Sequence, residues 1–227
     1  MADTIKLTLR ALSYLLRYPS AEMRSHLHEV SSALHMEQAI DQHRLAALDQ
    51  LIKRLQTGDL QVEAEYVELF DRGYGTALHL FEHIHGDSRD RGPAMIDLIK
   101  TYEQAGLLTT PDELPDYLPL VLEYSSTQPA SAARAFISEF AHLLHVIEQA
   151  LQKRNSDYAF VLDALINVAG ISTKDLPTLK PREESLDESW QEPAAFDGCS
   201  TKGQAATNAP QPIHLMRRQA SSGKTSY

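Results

Sequence analysis

The side chains best suited to chemistry in this sequence are gathered between residues 63 and 92. His79 and His83 stand four apart, a spacing that puts two imidazoles on one helix face, and His85, Asp87 and Asp90 follow closely. Imidazole and carboxylate are metal ligands, but a zinc or iron site needs three or four converging donors. The chain has no His-Glu-x-x-His and no pair of Glu-x-x-His motifs to supply them. The plainer reading is that these histidines cap helix ends or line a surface, with a small metalloprotein built on His79, His83 and His85 as the alternative. Nucleophilic catalysis has less to stand on. No Gly-x-Ser-x-Gly elbow or phosphate-cradling glycine loop is present, and the single cysteine, Cys199, lies far from the structured bases. The expectation is a protein that is not an enzyme, with no catalytic residue, no metal site and no stably bound cofactor.

Binding chemistry is better represented in the same stretch. Tyr66, Leu69 and Phe70 stand at i, i+3 and i+4 and share one helical face, with Glu63, Glu65 and Glu68 among them and Asp71 behind. An apolar stripe beside that many carboxylates is either an ordinary amphipathic helix or the wall of a groove for a basic, apolar peptide. In the groove reading Tyr66, Phe70, Phe81 and Tyr117 supply the apolar wall. Glu65, Glu68, Glu82 and Asp116 supply the negative rim, and His83, His85, Arg89, Asp90 and Arg91 position the loop between them. In the plain reading Asp90 caps a helix, and Arg89 and Arg91 pair with Glu82 or Asp87 on the surface, where an ion pair is worth only about 0–1 kcal/mol.

The elements that carry these residues read as helices throughout. Apolar residues recur with a period of 3.6 over 4–18, 21–34, 37–56, 63–70, 76–83, 93–104, 119–126, 130–154 and 157–169. Pro19 ends the first helix, Ser20 is placed to cap the second, and Thr57-Gly58-Asp59 stops and restarts the chain. Gly73 and Gly75 suit a sharp turn with positive φ, and Gly106 suits the residue just past a helix end. The expected fold is all-α, a single bundle of about eight or nine helices over residues 1–171. Residues 172–227 read as a disordered tail. Five of the eleven prolines lie beyond residue 172, valine is missing there, and seven acidic residues offset seven basic ones. The formal net charge of −10 therefore belongs to the helical part, which disfavours a nucleic-acid partner and suits a basic peptide. One cysteine, no secretory leader and no long apolar run give the expectation of a cytoplasmic protein.

Several motifs fall in one order: Tyr66-Val-Glu-Leu-Phe-Asp-Arg-Gly73, Leu80-Phe-Glu-His-Ile-His-Gly-Asp-Ser-Arg-Asp-Arg-Gly92, Met95-Ile-Asp-Leu98, Tyr102-Glu-Gln-Ala-Gly-Leu107, Glu113-Leu-Pro-Asp-Tyr-Leu-Pro119 and Leu122-Glu-Tyr124. With Leu12-Ser-Tyr-Leu-Leu-Arg-Tyr-Pro19 ahead of them, residues 5 to 170 resemble the respiratory nitrate reductase assembly chaperones, the delta subunits, within the wider family of molybdoenzyme-maturation chaperones. The resemblance implies a private chaperone. Such a protein binds the N-terminal peptide of the apo alpha subunit, a remnant of a twin-arginine leader. It supports insertion of the molybdenum bis-guanine-dinucleotide cofactor, delays docking on the membrane anchor, and is not part of the final enzyme. Cofactor-delivery proteins are further implied partners. The alternative client is another molybdoenzyme, such as an S- or N-oxide reductase.

Overall fold

Caps, prolines and apolar periods cut the chain into short helices, and the computed structural model describes residues 4–85, 91–110 and 113–172. These residues form eleven α-helices: α1 (Lys6–Leu15), α2 (Ala21–Ser25), α3 (Leu27–Glu37), α4 (Gln42–Thr57), α5 (Leu60–Tyr66), α6 (Glu82–His85), α7 (Arg91–Gln104), α8 (Leu118–Thr127), α9 (Ala130–Glu139), α10 (Ala141–Lys153) and α11 (Ala159–Val168). A π-helical turn, Val67–Asp71, continues α5, and a 3₁₀ turn covers Tyr74–Thr76. The all-α class read from the sequence is the class observed. The expected tail lies outside the described residues from residue 173 onward.

The core is built around α1, which packs on α8, α3 and α11. Leu9, Leu12, Leu15 and Leu16 are fully buried there, and each contributes about 1.5–3 kcal/mol of transfer free energy. Two polar anchors fix its register. The Ser13 hydroxyl donates to the Pro119 carbonyl at 2.8 Å, and the Thr8 amide donates to Glu37 Oε2 at 2.7 Å. Burial raises the Glu37 carboxyl, but hydrogen bonds from the Thr8 and Leu7 amides outweigh it and hold the group below its ordinary value. Side-chain caps start three helices, with Ser20 accepting from the Met23 amide, Asp41 from Arg44 and Asp59 from Gln61.

Two expected helices are split, which raises the number above eight or nine. The 21–34 helix breaks at His26, and the 130–154 helix breaks at Phe140, whose ψ of 6° takes it out of helical geometry. The second break lets α9 pack on α8 while α10 packs on α11. The expected 76–83 helix is not formed. Residues 77–81 run past 115–118 instead, with His79 and Tyr117 in an antiparallel bridge, the Leu118 amide donating to the Leu78 carbonyl at 2.9 Å and the Leu80 amide to the Asp116 carbonyl at 3.1 Å. His79 and His83 therefore do not share a helix face.

Gly73 and Gly75 also differ from expectation. Gly73 has φ −100°, open to any residue, and positive φ among glycines falls on Gly106 and Gly170, past the ends of α7 and α11. Gly73 is required by space: a Cβ there would overlap the Leu69 carbonyl oxygen, the Thr76 hydroxyl and the Arg154 guanidinium. At Gly75 a Cβ meets only the Ala150 methyl, at 3.9 Å. Gly73→Ala is therefore expected to destabilise the protein by about 1–3 kcal/mol, as overpacking does. Gly75→Ala should leave urea unfolding within about 0.5 kcal/mol of the parent. Equal effects of the two would refute the steric account.

Candidate functional site

Glu113-Leu-Pro-Asp-Tyr-Leu-Pro119 is held against the bundle from several sides. The Tyr102 hydroxyl of α7 donates to the Pro115 carbonyl at 2.7 Å. Asp116 is wholly buried, and its Oδ2 accepts from the Phe81 amide at 3.0 Å. Its Oδ1 faces His79 Nδ1 at 3.5 Å, an ion pair rather than a hydrogen bond, and the Arg91 guanidinium approaches Oδ2 at 3.9 Å while also reaching Glu82 at 3.5 Å. The Asp116 carboxylate raises the His79 imidazole above its ordinary value, and partial burial offsets only part of that. This latch sets the position of Tyr117, whose ring lies 5.2 Å from that of His79 and whose hydroxyl stands 3.4 Å from that of Tyr66.

Tyr66 and Phe70 are brought together by the turn that ends α5. The Arg72 amide reaches back to the Val67 carbonyl at 3.0 Å, closing a π-turn, and the two rings sit 4.7 Å apart. The buried Tyr66 hydroxyl donates to the Leu16 carbonyl at 2.7 Å, which ties the turn to α1. Burial pushes this phenol far above its ordinary value, so it is a permanent donor. Tyr18, at the end of the α1 segment, meets Tyr66 edge-on at 5.6 Å and donates from its hydroxyl to Glu63 at 2.9 Å. Glu63 in turn holds Arg24 of α2 at 2.7 Å.

These groups border two cavities that share Tyr18, Glu113 and Tyr117 in their linings. The larger, about 850 Å³, runs between α1 and the α2–α3 segment past Leu7, Ala11, Tyr14, Met23 and Val30. The smaller, about 440 Å³, is lined by Tyr66, Phe70, Leu78, His79 and Leu114, with Asp71 and Glu113 as its carboxylates. Glu22, Glu29, Arg10 and Arg17 edge the larger one. Together they form a groove with an aromatic and aliphatic floor and charges at its lips.

Tyr66, Phe70 and Tyr117 are thus brought together in one lining. Other expected wall and rim residues are elsewhere. Phe81 belongs to the hydrophobic core rather than to the wall. Asp116 has no exposed surface and cannot be a rim, because its carboxylate serves the latch. Glu65 is bound to Arg54 at 3.0 Å against α4, and Glu68 to Arg72 at 2.5 Å on the outer face. Glu82 and Arg91 pair with each other, and Arg91 points inward to Asp116. His83 Nε2 lies 2.8 Å from the Ala77 carbonyl, which only accepts, so this nitrogen carries the proton and the ring caps the 77–81 segment. His85 closes α6, and Arg89 and Asp90 lie outside the described residues. No three His, Cys, Asp or Glu side chains converge as metal ligands among the described residues.

The groove also has a wall that sequence reasoning missed, formed by α1 and α2–α3. Leu7, Ala11 and Tyr14 recur at helical spacing along a side of α1 next to the Leu9, Leu12 and Leu15 face in the core, and Tyr18 follows past the helix end. That second stripe was the available signal.

The architecture matches a solved structure from Archaeoglobus fulgidus assigned as a redox enzyme maturation protein. The TM-score is 0.53 at 18% identity, over 72% of this chain and 92% of that one. The likeness is one of fold, shared by two chains of low identity. The family model described as nitrate reductase delta subunit matches residues 36–163, and the chain belongs to that family. It is 41% identical over 182 residues to the nitrate reductase molybdenum cofactor assembly chaperone NarJ of Escherichia coli K12, covering 79% of this chain and 77% of the relative. It is 33% identical over 165 residues to the NarJ assigned in Bacillus subtilis strain 168, covering 71% and 87%. These relatives are named as assembly chaperones and not as enzymes. No helix among the described residues is long and apolar enough to cross a membrane.

Two measurements test the latch. Asp116→Ala leaves the Phe81 amide, the His79 ring and the Arg91 guanidinium without their buried partner, and is expected to cost about 3–5 kcal/mol in urea unfolding. A loss below about 1 kcal/mol would show the latch to be incidental. His79 has its folded value raised, so it stabilises fully below its unfolded value of about 6.5 and loses that contribution as pH rises through the folded value. Stability should therefore fall with pH just above 6.5, and His79→Gln should flatten that slope.

Proposed function

We propose that this chain is a dedicated chaperone for a respiratory nitrate reductase, acting in the cytoplasm on the apo catalytic alpha subunit before its molybdenum cofactor is in place. The chaperone role itself is supported by the family and by the names of its relatives. The finer reading is that the groove seats the N-terminal peptide of the alpha subunit as an amphipathic helix. The chaperone then holds the subunit open for the molybdenum bis-guanine-dinucleotide cofactor, delays docking on the membrane anchor, and leaves the finished enzyme. The observation that carries this is the pair of cavities meeting at Tyr18, Glu113 and Tyr117, with aromatic floor and carboxylate lips.

The physical argument is one of matched surfaces. A peptide helix presents apolar anchors at i, i+3, i+4 and i+7, and a groove with rings from several elements offers several places to bury them. Tyrosine and methionine suit this task, since they give large contact area at modest ordering cost or adapt to the shape of the guest. The groove floor supplies both, with Tyr14, Tyr18, Tyr117 and Met23. A basic peptide meets a chain of net charge −10, which favours encounter and orientation.

Tyr18 gives the cleanest test because its side chain is 43% exposed and its ring is not part of the buried core. Calorimetry with the first 15–20 or so residues of the alpha subunit from the same organism, about four to five helical turns, is expected to give a Kd of about 1 μM or tighter. Tyr18→Ala should weaken binding about tenfold, as loss of an interface anchor does, while urea unfolding falls by no more than the roughly 1–2 kcal/mol of its Tyr66 and Glu63 contacts. Undetectable binding of the peptide at millimolar concentration would defeat this reading.

A further inference from the structure

The smaller cavity has a composition that an apolar anchor does not need. Its lining holds the rings of Tyr18, Tyr66, Phe70, His79 and Tyr117, the side chains of Leu78 and Leu114, and two carboxylates, Asp71 and Glu113. Neither carboxylate is in an ion pair among the described residues. Asp71 follows Phe70 at the end of the π-turn, and its neighbour Arg72 is taken by Glu68. Arg17, the cation whose field reaches Tyr117, is bound to Glu123 and lies 5.9 Å above the Tyr14 ring. Asp71 shares the lining with the Tyr66 and Tyr117 rings, and its charge adds to the rise of both phenols.

Aromatic faces carry negative potential and attract a cation placed over them, more strongly when the site sheds water. Carboxylates at the opening add a charge-assisted partner for the same group. At about 440 Å³ the cavity holds roughly fifteen times the ~30 Å³ share of a liquid water molecule, enough for one long side chain. His79 is the one lining group able to carry positive charge, and its imidazole is turned toward buried Asp116, which offsets that charge from behind.

We propose that this cavity is a cation subsite of the peptide groove, and that it takes the guanidinium or ammonium of one arginine or lysine of the client peptide between the Tyr18, Tyr66 and Tyr117 rings, with Asp71 and Glu113 as its counter-charges. The inference rests on the peptide-groove reading and adds the chemistry of one anchor. The stem of the side chain packs on Phe70 and Leu78, and the charged head stays at the lip. A planar guanidinium suits stacked rings and a carboxylate fork better than an ammonium does, so arginine is the preferred guest.

The test uses the full chain and the alpha-subunit N-terminal peptide described above. Each arginine of the peptide is replaced in turn by citrulline and each lysine by norleucine, which remove charge while keeping the stem. Binding is measured to the parent and to an Asp71→Asn/Glu113→Gln variant, whose two positions are both exposed. One peptide position is expected to lose about tenfold in affinity toward the parent and less than about threefold toward the variant. If the peptide binds but every replacement costs the same in both proteins, the cation subsite is overturned and the groove reading stands. If the unmodified peptide binds neither protein, the groove reading falls and takes the subsite with it.

Discussion

Asp116 places a carboxylate in the interior with no exposed surface, and much of the functional end of the molecule depends on how that charge is answered. A lone buried carboxylate is costly to desolvate, so partners must converge on it. They come from one stretch well ahead of it in sequence: the His79 ring, the Phe81 amide and the α7 residue Arg91. Meeting this demand draws 77–81 out of helical geometry and lays it along 115–118. Tyr117 is the direct beneficiary, since its backbone bridges His79 and its ring is left facing the groove.

A second constraint comes from α5. The π-turn at Val67–Asp71 inserts one residue into the ladder, which sets Tyr66 and Phe70 side by side and carries Asp71 to the rim of the smaller cavity. The space closed by that turn is so tight at Gly73 that backbone oxygen, hydroxyl and guanidinium leave no room for a methyl. Tyr66 then ties the turn to α1 through the Leu16 carbonyl. One face of α1 is therefore core and another is groove, and displacement of the helix would disturb both. A groove on preorganised elements of this kind loses less to ordering when a guest binds.

Electrostatics divides the acidic residues into two populations. Glu63, Glu65, Glu68 and Glu82 are each held by a resident cation, Arg24, Arg54, Arg72 and Arg91 in turn. Asp71, Glu22 and Glu113 have no ion-pair partner among the described residues and line the cavities instead. Paired carboxylates offer little to a visiting cation, whereas unpaired ones at a groove lip steer and orient it.

The sequence by itself determined the all-α class, the helix start at Ser20, the stop and restart at Thr57-Gly58-Asp59, the terminator at Gly106, and the membership signalled by the ordered motifs between residues 66 and 124. These are local matters, settled by period, cap and turn chemistry within a few residues. It also singled out Tyr66, Phe70 and Tyr117, because aromatic side chains beside carboxylates stand out in any window. Only the tertiary structure decided the rest. Nothing within 130–154 marks the break at Phe140, since its apolar stripe keeps one period across it; packing α9 and α10 on different partners imposes the turn. The helical pattern of 76–83 loses to pairing with a segment nearly forty residues away. Asp116 reads as a surface acid until its distant partners are known, and Glu65 reads as free until Arg54 is placed beside it. Long-range pairing of charge and backbone has no signature in a local window, and in this protein it selects which residues face the groove.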